Sequence, residues 1–84
     1  MNLERAAMLG QKVEKEHDAK GLRLRAEGLR NSMRLLLLPT VPVETIDDEQ
    51  LSVQALELAQ TIIEMRAAEA ELAVIRKHLG HCGR

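Results

Sequence analysis

The residues best equipped for chemistry come last in the chain. His78-Leu79-Gly80-His81-Cys82 offers two imidazoles and a thiol, the ligand types that zinc and copper favour. The segment is too short of ligands to close a tetrahedral site alone, and two copies would complete one only if their tails met. The preferred reading is a polar tail with one exposed thiol, and no metal or cofactor is expected.

A second candidate is His17 with Glu69. If two helices fold back on each other near Val43, these two meet, as do Asn31 with Gln54 and Arg76 with Gly10. His17 with Glu69 is either an acid–base pair, or part of a metal site, or a hydrogen-bonded pair that fixes helix register as buried polar residues do in coiled coils. The last is preferred, because no nucleophile or second carboxylate converges there. A third candidate is the basic series Arg5, Lys12, Arg23, Arg30 and Arg34. Arg23, Arg30 and Arg34 are the residues that would touch nucleic-acid phosphates. Glu16 and Glu27 interrupt the series, and Glu27 is spaced to pair with Arg23 and Arg30, so a solvated, salt-bridged face is the stronger expectation. No phosphate-binding glycine loop, paired catalytic carboxylates or Ser/His/Asp set can be assembled, and two-helix hairpins lack the concave pocket most enzymes use. Catalysis is not expected.

The composition restricts which elements could position these residues. The chain has 84 residues and no Phe, Tyr or Trp, so any core is built from Leu, Ile, Val, Met and Ala. That suits helices better than sheets and removes the stacking platforms of single-strand nucleic-acid binders. Net charge is −1, which gives no bulk polarity toward nucleic acid or membrane. The charge is uneven, however. Residues through Leu38 carry eight bases against five acids (+3), and Asp47 to Leu79 carry three against seven (−4). The opposite signs help two helices align. One cysteine excludes an internal disulfide framework. The N-terminus lacks a signal-like apolar run and Leu35–Leu38 is far too short to span a bilayer, so a cytoplasmic, non-membrane protein is expected.

Pro39 and Pro42 disfavour helix at Leu38 and Val41. The sequence therefore predicts one helix over 2–38, a loop over 39–46, a second helix over 47–79 and a flexible tail over 80–84, all in one domain. Asp47 is the expected N-cap, with Gln50 at the third helical position, and Gly80 the expected C-cap. The inner side of the first helix reads Leu3, Ala6, Gly10, Val13, His17, Gly21, Leu24, Gly28, Asn31, Leu35 and Leu38. Its three glycines either break the helix near Gly10 or Gly21, or let a partner backbone come close.

The second helix carries two apolar stripes. One reads Leu51, Ala55, Leu58, Ile62, Met65, Leu72 and Leu79; the other, roughly 100° around, reads Leu56, Ala59, Ile63, Ala67, Ala70 and Val74. Upstream, Met8, Ala19, Leu22, Ala26, Leu29, Met33, Leu36 and Leu37 form a further apolar side of the first helix. One partner helix needs one stripe, so the surplus points to association. The expected architecture is an all-α antiparallel, coiled-coil hairpin that homodimerises into a four-helix bundle. The expected function is a non-enzymatic protein–protein interaction module: a small adaptor, regulator or assembly factor. Its interface is drawn from Leu22, Leu29, Met33, Leu36, Leu37, Leu56, Ile63, Ala67, Ala70 and Val74. A heterologous protein is the alternative partner, and nucleic acid is the less favoured one.

Overall fold

The two prolines separate two long helices. The computed structural model describes residues 3–79: α1 (Leu3–Leu36), a single 3-10 turn (Val43–Thr45) and α2 (Asp48–Leu79), folded back as an antiparallel hairpin. The α1 helix stops at Leu36, two residues short of the limit set by Pro39. The Leu37 amide is shared between the carbonyls of Met33 (3.0 Å) and Arg34 (3.2 Å), a tightening common in last turns, and Leu38 is held out of helix by the proline after it. At the start of α2, Asp47 Oδ1 accepts from the Gln50 amide at 3.0 Å, and Asp48 and Glu49 sit at the positive end of the helix dipole. Arg76, Lys77 and His78 complement its other end, where the Arg5 guanidinium also donates to the Leu79 carbonyl at 3.5 Å. Gly80, His81 and Cys82 lie outside the described residues.

The buried and half-buried residues of α1 include a series spaced alternately four and three apart, Met8, Lys12, Lys15, Ala19, Leu22, Ala26, Leu29, Met33 and Leu36, with Glu16 and Ser32 half-buried beside it. Those of α2 include a series of the same spacing, Leu51, Gln54, Leu58, Thr61, Met65, Ala68, Leu72, Ile75 and Leu79, with Glu57, Ile62 and Glu69 half-buried beside it. Both series repeat every seven residues, so each keeps one side of its helix against the other along the whole seam. Cross-links from Arg5 to Leu79, Lys15 to Glu71 and Arg25 to Glu57 fix the register. It sets Met8 level with Leu79, Ala19 with Ala68, Ala26 with Thr61, and Leu36 with Leu51. The small residues at the middle, Ala19, Ala26, Thr61 and Ala68, are buried, which short side chains achieve only where two helices approach closely. Thr61 satisfies its hydroxyl by donating to the Glu57 carbonyl at 2.7 Å. Toward the other end Lys12 and Lys15 are half-buried beside the buried Leu72 and Ile75. There the aliphatic stems supply the cover and the ammonium heads reach outward.

This seam reverses the expected inner side of α1. Leu3, Gly10, His17, Gly21, Leu24, Gly28, Asn31 and Leu35 are all exposed, and the side that packs on α2 is the Met8–Leu36 series instead. The glycines neither break α1 nor admit a neighbour: the helix is continuous through Gly10, Gly21 and Gly28, and a Cβ added at any of the three meets nothing within 4 Å. Glycine and alanine score as compatible with burial, so the 3.6-residue period fits two sides of α1, and only heptad continuity against the second strand picks the correct one.

Two helices and a tip make a rod, 64 × 22 × 14 Å along its principal axes, with a radius of gyration of 18.5 Å. A compact chain of this length would have about 12 Å. The accessible surface is 6532 Å², against about 5,000 Å² for a compact monomer of the same mass.

Candidate interaction surface

On α2, moving two residues along the chain turns about 200° around the axis. The series that begins two residues after Leu51 and Gln54 therefore lies opposite the seam with α1. It reads Val53, Leu56, Gln60, Ile63, Ala67, Ala70 and Val74, again alternately three and four apart, and every member is exposed. Val53, Leu56, Ile63 and Val74 expose 58%, 60%, 64% and 56% of their surface, well beyond what scattered surface apolar residues require. The two stripes of α2 are thus on opposite sides of the helix, further apart than the 100° the sequence pattern suggested. The outer stripe holds no charged residue from Val53 to Val74, and Lys77 ends it.

Interhelical ion pairs flank the α1–α2 seam on both broad sides of the hairpin. On one side Arg23 binds Glu69 at 2.7 Å and Arg76 binds Glu16 at 3.2 Å. On the other, Arg25 binds Glu57 at 3.5 Å and Lys15 binds Glu71. The hydrogen bond and charge of Glu71 hold the Lys15 ammonium above the usual lysine range, and Glu69 raises the Arg23 guanidinium in the same way. All are exposed or half-exposed pairs, screened by solvent, so they add little to stability. Their main effect is to make both broad sides polar.

Of the residues expected at a partner interface, Leu56, Ile63, Ala67, Ala70 and Val74 are exposed on the outer side of α2. Leu22, Leu29, Met33 and Leu36 are not free to meet a partner fully: they are half-buried on the side of α1 that faces α2 of the same chain. Leu37 is exposed beyond the end of α1. His17 does not meet Glu69, which binds Arg23; the imidazole lies on the outward part of α1, at the rim of a groove with Gly21 and Glu64. Arg76 reaches Glu16 and not Gly10. Asn31 is exposed, while Gln54 keeps its Oε1 away from solvent with no hydrogen-bond partner. Of the nucleic-acid candidates, Arg23 is engaged by Glu69, and Arg30 and Arg34 are exposed. Sequence reasoning missed Val53 and Gln60 in the outer stripe, although both follow from extending the three–four spacing of Leu56, Ile63, Ala67, Ala70 and Val74 by one step and filling its gap.

Among the described residues no three His, Cys, Asp or Glu side chains are grouped to hold a metal ion. None of the described helices is long and apolar enough to cross a membrane. No family model, no curated protein and no solved structure matches this chain.

Proposed function

We propose that the chain is a non-enzymatic protein–protein interaction module, a small adaptor, regulator or assembly factor that acts through apolar helix surface its own fold leaves uncovered. A second copy is the first partner, joining two hairpins into a four-helix assembly; a different protein is the alternative. The observation that carries this reading is the outer stripe of α2. An uncharged stripe of about 22 residues runs for roughly 33 Å along a helix, and exposed apolar surface of that extent marks interaction sites. The excess of roughly 1,500 Å² over a compact monomer also exceeds the roughly 800 Å² that each partner contributes to a standard interface. Nucleic-acid binding has less support, since Arg23 is committed to Glu69 and Glu27 stands about one turn before Arg30.

The test compares the wild-type chain with Ile63→Asp for self-association by sedimentation and for capture of proteins from native extract. Association or capture that disappears in the variant supports the reading. A chain that neither self-associates nor retains any protein through Ile63 rejects it.

A further inference from the structure

We propose that α2 docks through its outer stripe onto the same stripe of a second copy, with the two α2 helices parallel and in register. This rests on the interaction reading above and names the partner and the geometry.

The placement follows from the ion pairs. Stacking two hairpins side on side, as in a closed four-helix bundle, would bury either Arg23–Glu69 with Arg76–Glu16 or Arg25–Glu57 with Lys15–Glu71. Removing charges from water costs more than their attraction returns unless every remaining lone pair and proton is also satisfied. The outer edge of α1 is free of those pairs, but it is interrupted by Glu14, His17 and three glycines. The outer edge of α2 is the one long surface that can be covered without burying charge. Joining two such edges gives a flat row of four helices with α2 and its counterpart in the middle.

Three features select a second copy and a parallel pairing. In a parallel, in-register pair each residue of the stripe meets its own counterpart. The stripe then alternates Val53, Gln60, Ala67 and Val74 with Leu56, Ile63 and Ala70, and its first heptad, Val53 with Leu56, has the β-branched and leucine core pair that favours two parallel strands. Gln60 is the one polar residue in the stripe. Facing its own counterpart, its amide has both a donor and an acceptor to bond with. An antiparallel pair sets it against an apolar residue such as Ile63 or Ala70 and leaves the amide unpaired. The edges give the third. One edge of the stripe carries Ser52, Ala59, Arg66 and Ala73, the other Glu57, Glu64 and Glu71. Arg66 has no ion-pair partner among the described residues. Parallel pairing brings unlike edges together, so Arg66 faces the partner's Glu71, twice by symmetry. Antiparallel pairing brings the two glutamate edges together.

The experiment is sedimentation of four proteins at micromolar concentration, with far-ultraviolet circular dichroism to confirm equal helix content. The wild-type chain is expected to be a dimer and Ile63→Asp a monomer. Arg66→Glu should weaken association several-fold, which reads the edge even if the buried aspartate perturbs the fold. The fourth protein is Val74→Cys in a Cys82→Ser background. It should form a disulfide-linked dimer on mild oxidation, because parallel strands bring the two thiols together while antiparallel ones hold them roughly 25 Å or more apart. A dimer untouched by Ile63→Asp, or a dimer in which Val74→Cys does not cross-link, overturns the proposal. So does a monomeric wild type. If that monomer still captures a protein through Ile63, self-docking is wrong and the interaction reading stands.

Discussion

At the scale of single residues the seam carries one plain defect. Gln54 occupies a heptad core position of α2 and buries its Oε1 with no partner, and an unpaired buried acceptor costs about 1–3 kcal/mol. Gln54→Leu should therefore raise stability by about 1 kcal/mol or more, measured as a higher urea midpoint at unchanged slope. The glycines make the opposite point. Each sits in a helix with open space where a side chain would go, so Gly21→Ala and Gly28→Ala should each stabilise α1 by about 0.5–1 kcal/mol. Thermal denaturation of the two variants checks this, and a loss of stability would mean that something packs closely there. By contrast, Ala26 is buried in the seam, and Ala26→Leu should destabilise by about 1–3 kcal/mol through overpacking.

At the scale of the helix, α2 explains what the sequence revealed and what it hid. Its start was legible because capping chemistry is local: Asp47 accepts from the Gln50 amide as the capping pattern predicts. That α2 has two apolar stripes was legible as well, from Leu58, Met65 and Leu72 on one side and Leu56 and Ile63 on the other. Their true separation was not, since alanines such as Ala55, Ala59 and Ala67 blur the edges of both. The inner side of α1 was misread for a related reason. Lys12 and Lys15 stand at core positions of α1, and a pattern search treats lysine as a solvent residue. Only the structure shows their stems beside Leu72 and Ile75. Lys15 also gives the seam a pH dependence. Its titration is raised in the folded state by Glu71, so its contribution is complete at neutral pH and is lost as pH rises through that raised value. The denaturation midpoint should fall in strong alkali by more for the wild type than for Lys15→Met.

At the scale of the molecule, charged and apolar surface are separated by side. Ion pairs cover the two broad sides, and the uncovered apolar stripe follows one narrow edge. The chain should consequently bind RNA weakly or not at all in a gel-shift assay. A shift that weakens steeply with added salt would restore Arg30 and Arg34 as phosphate contacts. Total apolar content could be counted from the sequence, and one hairpin leaves part of it exposed, Leu56, Ile63 and Val74 among it. Which edge was left over depended on the register of α1 against α2, and no residue encodes that alone.

The hairpin also has a mechanical polarity. Arg5 touches the Leu79 carbonyl, so residues 3 and 79 leave the rod at one pole, and the Pro39–Ile46 tip stands at the other. A load drawn apart between those two ends peels the strands open one layer after another, each layer bearing the whole force in turn. A load between the tip and that pole is shared by all layers at once. The same molecule should yield at low force when tugged from its ends and resist strongly when strained along its length, a contrast that optical tweezers can read directly.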